Sequence, residues 1–81
     1  MKILKFGADW CGPCAALQKV LDGIENLPIE VEQIDIDGED SRIRTMGIRG
    51  VPTMIKVDDA GKELSRVVGA ISQQEILEWI N

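Results

Sequence analysis

Residues 10–14 read Trp10-Cys11-Gly12-Pro13-Cys14 and hold both cysteines of the chain. Two thiols three positions apart at a helix start can meet, and open and close a disulfide. Beside a βαβ pattern, C-x-x-C reads as a redox pair. Two structural alternatives are weaker. A purely structural bridge here would close a loop of only a few residues and remove little chain entropy. A zinc site needs four ligands, usually Cys and His. With no histidine and no third cysteine, carboxylates or a second chain would have to complete it.

Working outward, Pro13 suits the first turn of a helix, where its missing N–H costs nothing. Leu17, Val20, Leu21 and Ile24 follow at i, i+3, i+4 and i+7, an amphipathic helical face, and Asn26-Leu27-Pro28 stops it. Upstream, Lys2 to Phe6 reads as a first strand and Gly7 to Trp10 as a loop. Downstream, Ile29 to Ile36 reads as a second strand. Its alternation slips phase at Glu32-Gln33, where a bulge is expected. Ser41 to Met46 is a short helix with Gly47 past its end. Thr53 to Val57 is a third strand, and Asp58 to Gly61 turns into Glu63 to Val68, forming a hairpin. Ser72 and Glu75 give a capping box flanked by an Ile71–Ile76 hydrophobic staple, and Ile76, Leu77 and Ile80 supply a buried helical face. The order β-α-β-α-β-β-α predicts an α/β fold. Its four-stranded mixed sheet is flanked by three helices, and the first two strands are parallel through a right-handed crossover.

Eighty-one residues imply one domain spanning 1–81, and 44% apolar residues are enough for a core without cross-links. A net charge of −5 argues against nucleic acid and anionic membranes as partners. No run is long enough to span a bilayer, and Met1 to Phe6 is too short and interrupted for a signal peptide. A cytoplasmic location, where free thiols persist, is the expectation. No G-x-G-x-x-G or P-loop is present, so no bound cofactor and no metal are expected.

Three blocks now stand in order: Ala8-Asp9-Trp10-Cys11-Gly12-Pro13-Cys14, Gly47-Ile48-Arg49-Gly50-Val51-Pro52-Thr53, and Val68-Gly69-Ala70. Together they resemble the thioredoxin family. The resemblance covers essentially all 81 residues and lacks only that family's N-terminal strand and helix, which gives a glutaredoxin-sized thioredoxin-like fold. It implies that Cys11 is the exposed attacking thiol and Cys14 the more buried resolving thiol. It implies a cis Val51–Pro52 bond facing the disulfide, and a substrate groove lined by Trp10, Gly12, Pro13, Val51, Pro52 and Gly69. A helix N-terminus, with its unpaired N–H groups and macrodipole, independently favours a thiolate at Cys11. The extended backbone near Pro52 offers an edge for a substrate strand.

The chain departs from the family at four positions. Lys5 stands where a buried acid is usual, Gln33 where its partner lysine falls, Gly7 where an aromatic is common, and Lys19 in place of a helix-kinking proline. The expected placement of Lys5 is the common one, with its stem over apolar surface and its ammonium in water. Unpaired buried lysines are rare. The competing placement sets it near Cys14, partly desolvated, where it would modulate or exchange a proton.

The function these readings favour is thiol–disulfide oxidoreductase, reducing protein disulfides through Cys11 and Cys14. The pair would be reduced by an external reductase, NADPH- and flavin-dependent, of the thioredoxin reductase kind, and the chain would act as a monomer. A glutathione-coupled activity is the enzymatic alternative. Against it stand Val68-Gly69-Ala70-Ile71-Ser72 in place of a Gly-Gly pair with a following Asp, and Cys-Gly-Pro-Cys in place of a tyrosine-bearing motif. A non-catalytic binding module is the other alternative, and retention of both cysteines argues against it.

Overall fold

Strands that carry apolar residues in both phases must be covered on both faces, and the two central strands here do so. The computed structural model describes residues 1–81. Its elements are β1 (Lys2–Gly7), α1 (Gly12–Asp22), β2 (Glu30–Asp35), α2 (Arg42–Thr45), β3 (Thr53–Val57), β4 (Glu63–Val68) and α3 (Gln73–Ile80). The sheet order is β2-β1-β3-β4. β1 runs parallel to β2 and antiparallel to β3, and β3 runs antiparallel to β4. No helix is long and apolar enough to cross a membrane.

The sheet divides the core in two. On one face Ile3 and Met54 pack with Leu17 and Leu21 of α1 and Ile76 of α3. On the other, Leu4, Phe6, Ile34, Ile55 and Val57 pack with Ile43, Met46 and Ile48 from α2 and the segment after it. Burying a leucine such as Leu17, which is fully inaccessible, stabilises by roughly 1.5–3 kcal/mol. Two such residues on α1 therefore set where the helix lies on the sheet.

The expected bulge in the second strand is absent. β2 pairs with β1 without interruption from Lys2↔Glu30 to Gly7↔Asp35, and the only register shift falls between Lys56 and Val57. The phase slip at Glu32-Gln33 has another cause. Ile29 and Val31 serve the α1 face and Ile34 and Ile36 the α2 face, so the apolar set changes sides while the strand stays regular. The first helix is also shorter than its periodicity predicts. It ends at Asp22, with the Gly23 N–H donating to the carbonyls of Lys19 and Val20, although Ile24 still packs on the core. The short second helix starts at Arg42, whose N–H donates to Asp40 Oδ1 at 2.9 Å, with no cap from Ser41. In α3 both arms of the capping box form at 3.1 Å.

An ionic cluster ties three elements together. Glu32 of β2 accepts from Lys2 of β1 and from Arg42 of α2, which also binds Asp40. Hydrogen bonds from Arg42, then Lys2, pull the Glu32 carboxyl from 4.5 to about 2. A carboxyl depressed in the folded state binds its proton less readily than in the unfolded chain. Its contribution is whole above about 4.5 and is lost as pH falls toward about 2. Thermal unfolding at descending pH checks this: Glu32→Gln is expected to flatten the fall in Tm across that window, leaving less acid-dependent loss than in the wild-type chain.

Candidate functional site

Cys11 is the N-cap residue of α1. Its backbone is extended (φ −91°, ψ 109°), and its Sγ accepts the Cys14 N–H at 3.1 Å. Pro13 in the first turn leaves no extra orphan donor there. The two cysteines are joined in a disulfide with Cα atoms 5.2 Å apart. Their exposures are almost equal, 6% and 5%, so the expected contrast between an exposed Cys11 and a buried Cys14 is absent from the oxidised pair. Each sulfur covers the other. What separates them is position: Cys11 Sγ sits at the helix terminus, and Cys14 lies inside the first turn.

Val51–Pro52 is a cis peptide. The segment around it is tied at both ends. Thr53 Oγ1 donates to the Gly50 carbonyl at 2.6 Å, and the Gly69 N–H donates to the Pro52 carbonyl at 2.8 Å. Gly69 has φ +96°, a conformation that strongly favours glycine. Trp10 is 68% exposed, and its indole N–H donates to Asp37 Oδ2 at 2.8 Å, which fixes the ring. Trp10, Ile43, Ile48, Arg49, Gly50 and Val51 line a groove of about 420 Å³. Gly12 and Pro13 are exposed beside it in the chain.

Behind the disulfide lies a second cleft of about 330 Å³. Cys11 and Cys14 share it with Lys5, Gly7, Gln18 and Gln33. Lys5 does not extend over the outer surface as its expected placement had it, but turns into this cleft. The residue is 5% exposed, and its Nζ donates to Gln18 Oε1 at 2.8 Å. The reason is the strand phase: Lys5 lies opposite Met54 in the sheet, on the face that α1 covers. Gln33 Nε2 donates to the same Gln18 oxygen at 3.0 Å, and Gln18 Nε2 donates to Asp22 Oδ1 at 2.8 Å. Burial pushes the Lys5 ammonium below its ordinary value, and the Asp22 carboxylate partly offsets this. Sequence reasoning missed Gln18 and Asp22. The signal was the i, i+4, i+8 polar stripe Cys14, Gln18, Asp22 on one helical face.

The family model for thioredoxin matches residues 1–81. The chain belongs to the thioredoxin family. It is 33% identical to a thioredoxin of Chlamydia caviae over 81 residues, covering 98% of this chain and 78% of that one. It is 29% identical to a thioredoxin of Rickettsia conorii over 82 residues, covering 98% and 77%. Among solved structures, a mutant thioredoxin from Halobacterium salinarum superposes with a TM-score of 0.85 at 34% identity, covering 96% of this chain and 69% of that one. Fasciola hepatica thioredoxin gives 0.80 at 30%, covering 96% and 75%. As a thioredoxin-family chain with its cysteine pair in a disulfide, it is a dithiol–disulfide oxidoreductase.

The helix terminus carries roughly half a positive charge, worth up to about 2 kcal/mol to a partly buried anion. In the reduced chain this favours the thiolate form of Cys11, whose sulfur caps the helix. Alkylation of the reduced protein across pH, with peptide mapping, checks it. Cys11 is expected to react ahead of Cys14.

Proposed function

We propose that the chain reduces protein disulfides, with Cys11 as nucleophile and Cys14 as resolving thiol. The observation that carries this reading is the Cys11 sulfur at the N-cap of α1, accepting the N–H of the very residue that would resolve it. The Cys11 thiolate attacks one substrate sulfur, forming a Cys11–substrate disulfide. The substrate S–S bond breaks, and the leaving sulfur takes a proton. The Cys14 thiolate then attacks Cys11 Sγ. The Cys11–Cys14 bond forms, the mixed disulfide breaks, and the second substrate sulfur leaves and is protonated. Two electrons from outside restore the dithiol. An NADPH- and flavin-dependent thioredoxin reductase is the donor of this reading, the chain works as a monomer, and a reducing compartment such as the cytoplasm is its setting.

Substrate would lie along Trp10 and Val51 in the groove they line, with Gly12 and Pro13 exposed beside it, while Pro52 is buried and its carbonyl accepts the Gly69 N–H. The backbone N–H and C=O of Val51 make no hydrogen bond within the chain, which supports pairing with an extended substrate strand.

Turbidimetric reduction of insulin by dithiothreitol tests the reading. The wild-type chain is expected to accelerate it, and Cys11→Ser and Cys14→Ser each to lose most of the gain. No acceleration by the wild-type chain would favour a binding module. Supplying electrons separately from thioredoxin reductase with NADPH and from glutathione identifies the donor. Turnover with glutathione alone would replace the proposed donor with a glutathione-coupled cycle.

A further inference from the structure

Lys5 and Gly7 lie on the same face of β1, two residues apart. A Cβ placed on Gly7 would sit 3.4 Å from Cys14 Sγ, so the Gly7 end of this face abuts the resolving cysteine. Two residues back, Lys5 Nζ is held on Gln18, which is four residues after Cys14 in α1. The strand advance of roughly 6.7 Å matches one helical turn of about 5.4 Å. The ladder Gly7–Cys14, Lys5–Gln18 is therefore in step, and Gln18, which holds the ammonium, stands one helical turn beyond Cys14. Both open into the same cleft, which glycine at position 7 leaves unfilled.

We infer that Lys5 is a positioning residue for the resolving step: its ammonium, oriented by Gln18, favours the Cys14 thiolate that attacks the mixed disulfide. The inference rests on the roles proposed above for Cys11 and Cys14. The Cys14 thiol gives its proton to water in the open cleft, and the ammonium keeps its own throughout. The charged groups facing Lys5 are Asp22 from α1, and Asp9 and Asp35, which line the cleft. Its strand neighbours Gln33 and Met54 are uncharged. None of the three carboxylates bonds Nζ, whose hydrogen-bond partner is the neutral amide of Gln18. The charge is thus only partly compensated, by Asp22, until Cys14 ionises. Burial lowers the affinity of Lys5 for its own proton, and an anion forming in the shared cleft would raise it.

Two measurements test this. In a Cys11→Ser background, thiolate absorbance reports the Cys14 titration alone. Lys5→Met, similar in length and apolar, is expected to raise the Cys14 pKa by about one unit, and Lys5→Arg to hold it near the starting value. By reciprocity the same coupling must appear at the lysine. In the unsubstituted chain, NMR titration of the Lys5 side chain is expected to show a higher pKa in the dithiol form than in the disulfide form, by a similar amount. A Cys14 titration indifferent to Lys5→Met overturns the inference, as does a Lys5 titration indifferent to reduction. The second readout needs no variant to fold. Neither depends on turnover, so a chain inactive toward insulin that still shows the coupling would overturn the proposed activity alone.

Discussion

The structure depends on where the first turn of α1 meets the sheet. A sulfur at a helix N-terminus gains from the orphan N–H groups only within that turn, so the helix must be held with little play. Leu17 and Leu21 supply the hold, packed against Ile3, Met54 and Ile76. The parallel β1–β2 pair fixes the crossover that brings α1 across this face. The cis Val51–Pro52 segment is pinned independently, by Thr53 onto Gly50 and by Gly69 onto Pro52. Chemistry needing two precisely placed sulfurs is thus built on the rigid centre of the sheet.

Much of this was legible in the residues. The Cys11–Cys14 spacing, the amphipathic stretch from Leu17, the hairpin turn at Asp58 to Gly61 and the Ser72–Glu75 cap are local codes, and local geometry decides them. What was misread depends on tertiary context. The Glu32-Gln33 slip resembles a bulge in a strand with one buried face, but β2 feeds two core layers through Val31 and Ile34. The end of α1 moved to Asp22 because Gly23 closes the helix before the apolar pattern runs out. The near-equal burial of the two cysteines belongs to the oxidised pair, whereas the expected contrast between them comes from the resemblance and not from the spacing.

Lys5 is the clearest case of context overriding expectation. A lysine in a strand of otherwise buried residues normally lets its ammonium reach water. Here strand phase aims it at α1, and Gln18 receives it. Desolvating an ammonium against a neutral acceptor is costly, and the Asp22 carboxylate compensates it only in part. Retaining such a group beside a cysteine pair makes structural sense if an anion forms nearby during turnover. Gly7 belongs to the same arrangement, since its missing side chain is what opens the cleft over Cys14.

The central claim is that Cys11, at the helix terminus, makes the first bond to substrate and Cys14 only breaks it. Trapping is its most direct test. The chain carrying Cys14→Ser is mixed with a protein disulfide substrate, quenched in acid and resolved by mass spectrometry. The account predicts a stable substrate adduct linked through Cys11, and little adduct through Cys14 in the Cys11→Ser chain. Adducts forming equally through either cysteine would contradict it.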